Sequence, residues 1–361
     1  MRIAFFGSSL LSSLWNGAAT YYRGLIRALD ARGHEVSFFE PRAFGRQERA
    51  DIAPPPWCRV VVYEPDAEGL GGAAAEARGF DAVVVASGIG AQDDLVPTAV
   101  WGTAHAGALR LFWDVDAPAT LAELEAAERH PLRPWLPRLD LVLTYGGGAP
   151  VVARYEALGA RLCAPITNAL DPETHHPVPP DPRFQADLVF LGNRLPDREA
   201  RADEFFFRAA RLLPSRRFLL GGSGWEGRAM PPNVRLLGHV PTREHNALNA
   251  TPLAALNVSR ESMAAAGHSP ATRVFEAAGA GACLVTDAWE GIEAFLRPGE
   301  EILVAQDGAE VARHLAALTP ERARAIGEAA RRRVLAEHTY DRRAAEVERL
   351  LEERRRGGRA A

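Results

Sequence analysis

Arg273 and Glu276 stand three residues apart just after Ser269-Pro270, where apolar residues begin to recur at helical spacing. Residues three apart on a helix share a face, so both side chains can address one cleft. A helix N-terminus offers unpaired N–H groups and partial positive charge, which suits a phosphate. Arg273 adds a full charge and a planar fork of donors. A carboxylate repels a phosphate, but Glu276 can accept hydrogen bonds from a neighbouring sugar diol. The pair reads as a nucleotide site, with arginine for diphosphate and glutamate for ribose. The same residues also fit a plain i, i+3 ion pair on a solvated helix, worth about 0.2–0.5 kcal/mol.

Further chemistry-bearing residues lie along the chain. Arg194 and Arg198 follow Gly192-Asn193 at a strand-to-helix turn, a second plausible anion site. Arg201 can equally pair with Asp197 at i+4. Gly222 sits in the permissive loop Gly221-Gly222-Ser223-Gly224-Trp225, which could contact a base or sugar. Asp114-Val115-Asp116 has the D-x-D form of a metal-binding triplet. Its setting at a strand end before Ala117-Pro118 suits a helix cap, a substrate contact or a general base better. His105 lies in a small-residue loop and could carry a proton or simply be solvated. The His175-His176 pair invites a metal reading, but adjacent residues of an extended chain point apart, so both are expected at the surface. Ser8, in Gly7-Ser8-Ser9, and the turn Trp15-Asn16-Gly17 could present polar groups to a ligand.

These residues need elements to hold them. Residues 2–7 read as a buried strand, 18–32 as a helix and 36–39 as the next strand, a unit of doubly wound type. No G-x-G-x-x-G fingerprint follows the first strand, which disfavours a nicotinamide or flavin site. Strands are expected at 59–63, 82–86, 109–116 and 139–145, then at 187–192, 217–220, 234–237 and 253–258. Ser269 is expected to cap a helix over 271–280, followed by a buried strand over 282–286, a second helix, and a strand reaching Val304. The proline-dense stretch 171–184 reads as a linker. It separates an N-terminal domain, 1–170, from a C-terminal domain, 185–338. A last charged helix in 339–361 carries an arginine run that reads as a solvated face.

Composition bounds the answer. The chain of 361 residues suits two domains, and 47% hydrophobic with 24% charged residues is a soluble globular profile. A net charge of -4 argues against a general nucleic-acid or anionic-membrane binder. Every basic residue is arginine; the chain contains no lysine. With its abundant alanine and glycine, this points to a GC-rich, bacterial genome. The first residues form a strand rather than a signal peptide, and no apolar run approaches membrane-spanning length. Cys58, Cys163 and Cys283 are widely spaced, which suggests a reducing compartment and no zinc site, hence a cytoplasmic protein.

The order of motifs resembles the GT-B glycosyltransferases, α/β proteins with two doubly wound Rossmann-like domains facing across a cleft. The most similar family is the CgeB-like (spore-maturation protein) glycosyltransferases. The resemblance is carried by residues 112–118 (FWDVDAP), by Gly192-Asn193-Arg194, and by residues 267–278 (GHSPATRVFEAA). It implies a nucleoside diphosphate sugar as co-substrate, a UDP-sugar by preference, with no cofactor and no metal. Donor binding falls to Glu276, Arg273, Thr272, Ser269, Arg194, Arg198 and Gly222, with Asn16, Gly17 and Ser8 from the other domain. Asp114, Asp116 and His105 are the catalytic candidates on the acceptor side. Glu276 matches the second glutamate of the retaining enzymes' paired-glutamate motif, whereas His268 stands where the first would be. The resemblance also implies a last helix returning to the N-terminal domain, and a monomer or dimer with an unidentified acceptor. A nucleotide-sugar epimerase of the same fold, or a non-catalytic nucleotide-sugar-binding relative, fits the same residues.

Overall fold

The computed structural model describes residues 1–13 and 16–358, so Trp15 of the expected turn lies outside the described residues. The chain divides into two compact units. One holds Met1–Thr167 together with the helix that begins at Tyr340; the other is Asn168–Thr339.

The first unit is built on a parallel sheet of β1 (Arg2–Phe6), β2 (Glu35–Pro41), β3 (Arg59–Tyr63), β4 (Ala82–Ala86), β5 (Leu109–Asp114), β6 (Leu141–Thr144) and β7 (Cys163–Pro165), in the order β3-β2-β1-β4-β5-β6-β7. The second carries β8 (Leu188–Leu191), β9 (Phe218–Gly221), β10 (Val234–Gly238), β11 (Ala254–Asn257), β12 (Leu284–Asp287) and β13 (Leu303–Ala305), in the order β10-β9-β8-β11-β12-β13. Both orders reverse beside their first strand, at β1/β4 and at β8/β11. In doubly wound sheets ligands bind outside the carboxyl ends of the strands at such switch points.

Side-chain chemistry explains the strands. Ala82-Val83-Val84-Val85-Ala86 is buried throughout, the mark of a parallel strand covered on both faces. Leu188 and Phe190 join one core cluster while Val189 joins the other, the period of two that a strand imposes. The expected helix over 271–280 forms as Thr272–Gly279, and the following strand begins at Leu284. The second helix expected before Val304 is only the short 3-10 turn Ile292–Ala294.

The stretch read as a linker behaves otherwise. Residues 171–184 belong to the second unit and are pinned there by side chains from distant sequence. Asn246 accepts from the His176 N–H and donates to the Thr174 carbonyl, and the Thr251 hydroxyl accepts from the Asp181 N–H. His175, expected at the surface, is 1% exposed. Prolines stiffen this segment so that it can lie along the unit's flank.

The last helix, Tyr340–Gly358, belongs to the first unit. Val347 and Leu351 line an apolar seam with Phe5, Leu29, Val36 and Trp113. Glu348 pairs with Arg32 at 2.5 Å. Arg355 and Arg356 of the arginine run are exposed, and Arg356 meets Glu352 at i, i+4 spacing, as on a solvated face. Tyr340 packs directly on the backbone of Gly24, where an added Cβ would lie 2.1 Å from the ring. Gly24→Ala is therefore expected to destabilise the protein by about 1–3 kcal/mol, read by urea denaturation. An unchanged midpoint would mean that the helix does not dock on this face. Among the described residues no helix is long and apolar enough to cross a membrane.

Candidate functional site

At the switch point of the second sheet, the loops after β8 and β9 lock together. Gly222 has φ +117°, and a Cβ on it would lie 2.2 Å from the Gly192 carbonyl oxygen. Only glycine permits that approach. The Trp225 indole donates to the same carbonyl at 2.7 Å, and the Asn193 side chain accepts from the Ser223 N–H. Gly222 thus acts through backbone packing that sets the Gly192-Asn193-Arg194 turn.

This turn delivers the helix Pro196–Ala202. Arg198 is mostly enclosed, with one N–H on the Asn193 carbonyl at 3.3 Å. Burial, then the charges of Arg260 and Arg273, push its guanidinium down to about 10. Three cations thus crowd one end of the sheet. Arg194 stands apart from them, about a third exposed and paired with Glu199 at 2.5 Å. Arg201 pairs with Asp287 at 2.6 Å and Glu261 at 3.0 Å rather than with Asp197, whose carboxylate takes Arg260 at 2.7 Å instead. Asp287 ends β12 and is wholly buried, accepting from the Ser259 N–H and hydroxyl as well.

The approach to the helix Thr272–Gly279 is strained. Gly267 and His268 both have positive φ, +67° and +46°, which is costly for a histidine. The His268 N–H donates to the Glu290 carbonyl at 2.6 Å, and its ring lies 3.7 Å from the Glu290 carboxylate. Ser269 does not cap the helix: its hydroxyl donates back to the Gly267 carbonyl, and Ala271 holds the cap position without a side-chain bond. Thr272 opens the first turn. Arg273 and Glu276 do share a face, 3.3 Å apart, but their side chains are only 14% and 5% exposed. The pair is buried, not solvated. Among the described residues Arg273 has no other charged partner, and its Nε and Nη1 lack hydrogen-bond acceptors. Burial pushes its guanidinium down, against the Glu276 charge.

Candidates in the first unit fare differently. Asp114 ends β5 with no exposure. One oxygen accepts from Ser87 at 2.7 Å, Thr120 at 2.9 Å and the Asp116 N–H at 3.0 Å, and the other from the Tyr155 hydroxyl. Burial raises its carboxyl, and these bonds oppose the rise. It ties the strand end together and is closed off from solvent. Asp116 sits at the cap of the helix Ala117–Ala126 without a side-chain cap bond. It lines a cavity of 420 Å³ with Ser87, Asp93, Asp94 and Glu123, where a substrate contact remains open to it. His105 is exposed in the loop before β5, at the amino edge of a parallel sheet, hydrogen-bonded to the Phe80 carbonyl. That edge is opposite the one where Asp114 ends, so the two cannot act together.

In the loop after β1, Ser8 donates to Asn16, and Asn16 donates to the Ser9 and Ser12 carbonyls. Both side chains are spent on loop shape, whereas Gly17 is exposed. Sequence reasoning missed Arg46, a buried cation joining the Ser8 and Ile89 carbonyls across the β1/β4 switch point. It also missed Arg260, although a position three residues past a strand end was a usable signal, and His245, for which no local signal exists.

Two parallel sheets, each with the 3-2-1-4-5-6 core order, are the paired doubly wound architecture of the GT-B class. Solved structures agree. Sucrose-phosphate synthase from Thermosynechococcus elongatus is 17% identical over 98% of both chains, TM-score 0.68. The Anabaena protein HepE, solved with UDP-glucose, is 13% identical over 98% of this chain and 100% of its own, TM-score 0.69. AviGT4, a glycosyltransferase involved in avilamycin A biosynthesis, is 18% identical over 99% and 98%, TM-score 0.63. The fold is GT-B, with two Rossmann-like domains. Residues 198–349, which include Arg198, Arg273 and Glu276, match a family model described as glycosyl transferase-like. No curated protein matches the chain by sequence.

Proposed function

We propose that this protein is a cytoplasmic glycosyltransferase, close to the CgeB-like family, that moves a hexose from a UDP-sugar to an acceptor without a metal ion at the phosphates. The observation that carries this reading is the gathering of Arg198, Arg260 and Arg273 at the carboxyl edge of the second sheet, beside Glu276. Asp197 pairs with Arg260 and Glu276 with Arg273, whereas Arg198 has no ion pair among the described residues, and a diphosphate would supply its countercharge. In the reaction the three guanidinium groups would stabilise the negative charge that develops on the leaving phosphate, the task a metal performs elsewhere. Glu276 accepts from the ribose, and Asp116 faces the acceptor side.

The test is a thermal-shift series with UDP, GDP, dTDP and UDP-glucose on wild type, Arg198→Ala and Glu276→Gln. A nucleotide at ~100 times its Kd should stabilise wild type by about 2.7 kcal/mol. Both variants should lose most of that rise. If no nucleotide moves the wild-type midpoint, the transferase reading fails.

A further inference from the structure

We infer that His175 and His245 are positioning residues of the donor site, holding the Glu276 carboxylate through one buried water molecule. This rests on the nucleotide reading of Glu276.

Three potential ligand atoms converge behind the helix Thr272–Gly279. A nitrogen of His175, a nitrogen of His245 and an oxygen of Glu276 all lie within 4.8 Å of one another. His175 Nε2 is 3.9 Å from Glu276 Oε1, too far for a direct hydrogen bond. His175 Nε2 and His245 Nδ1 are buried and have no hydrogen-bond partner among the described residues. The rings lie nearly parallel, centroids 6.2 Å apart. Two distant segments bring them there, residues 171–184 and the helix His245–Ala250.

The His245 tautomer follows from its bond, and the inferred water places the His175 proton on Nε2. His245 Nε2 is 3.1 Å from the Val240 carbonyl oxygen, so it carries the proton and Nδ1 is left as an acceptor. Burial holds both rings neutral, pushing His175 down and His245 to about 3. A water at the centre of the triangle would lie no more than about 2.8 Å from each atom, within hydrogen-bond reach. It donates to His245 Nδ1 and Glu276 Oε1 and accepts from His175 Nε2–H, which satisfies every member, as buried waters do. The other carboxylate oxygen, Oε2, keeps Arg273 at 3.3 Å.

A metal ion fits less well. Zinc needs its nitrogen ligands at about 2.0–2.1 Å, which puts ligand atoms of a tetrahedral site closer together than the 3.9 Å between His175 and Glu276, so these groups would have to move inward. It would also add two charges beside the buried Arg273 guanidinium, whose charge partner among the described residues is Glu276.

The experiment is a double-mutant cycle of His175→Phe and Glu276→Gln by denaturant unfolding without nucleotide, joined to steady-state kinetics with UDP-glucose as donor. The single effects should fail to add, by about 10-fold in the unfolding equilibrium. The donor KM of His175→Phe should rise about 10-fold at unchanged kcat, and His175→Gln, which restores an N–H donor, should recover much of it. Additive single effects, or an unaltered KM, overturn the inference. So does one metal ion per chain in purified wild type that is lost in His175→Gln, since a cation would then hold the three groups. Wild type that neither binds nor turns over UDP-glucose removes the donor role, and the cycle alone then decides whether the residues are coupled.

Discussion

Arg273→Met is expected to destabilise the protein by about 3–5 kcal/mol, far more than removing a surface ion pair. The guanidinium and the Glu276 carboxylate are 14% and 5% exposed and 3.3 Å apart. Methionine keeps most of the packing volume but leaves Glu276 buried beside two neutral imidazoles, without a countercharge. Removing both charges, as Arg273→Met with Glu276→Leu, should recover most of the loss, because no isolated charge is then left out of water. Urea unfolding of wild type, the single variant and the double variant decides it. A single-variant cost below 1 kcal/mol would return the pair to the solvated reading. The double variant should nonetheless fail to respond to any nucleotide, separating stability from binding.

A second large loss is expected at Asp114. Its two oxygens gather Ser87, Thr120, the Asp116 N–H and Tyr155 at the end of β5. Asp114→Ala strips partners from several buried donors at once, each costing about 1–3 kcal/mol when unsatisfied. A total near 3–5 kcal/mol is expected, after the freed groups relax. Asp114→Asn should fall between, since its amide keeps one acceptor but turns a donor toward donors. Were Asp114→Ala to fold with wild-type stability and lose only turnover, the carboxylate would be a general base after all.

The second sheet repeats this device. Asp287 ends β12 and takes the Ser259 hydroxyl, while Asp114 ends β5 and takes that of Ser87. β5 and β12 stand at the same place in their sheet orders, and each serine follows the neighbouring strand, β4 or β11. A strand end on the ligand edge has unpaired backbone groups, and a buried carboxylate beside a hydroxyl satisfies them in both units.

The fold class was legible in the residues. Apolar runs of strand length, glycine stops and helical stretches alternate along the chain, and each signal is local. The helix with Arg273 and Glu276 was legible for the same reason, since i, i+3 spacing is a property of the helix itself. Its start was misplaced by one residue because the backbone at Gly267 and His268 turns the chain first, leaving Ser269 bonded backwards.

What the sequence by itself determined was the doubly wound halves and a face on which a cation and a carboxylate stand together. Tertiary structure decided whether that face is wet or buried, and so whether its ion pair is slight or strong. It also decided that Asp114 is a strand-end tie, that Arg201 pairs with Asp287, and that His175 lies beside Glu276 rather than at the surface. The reason is separation along the chain. Asp287 lies 86 residues from Arg201, and such partners meet only when strands and loops pack, leaving no periodicity to read beforehand.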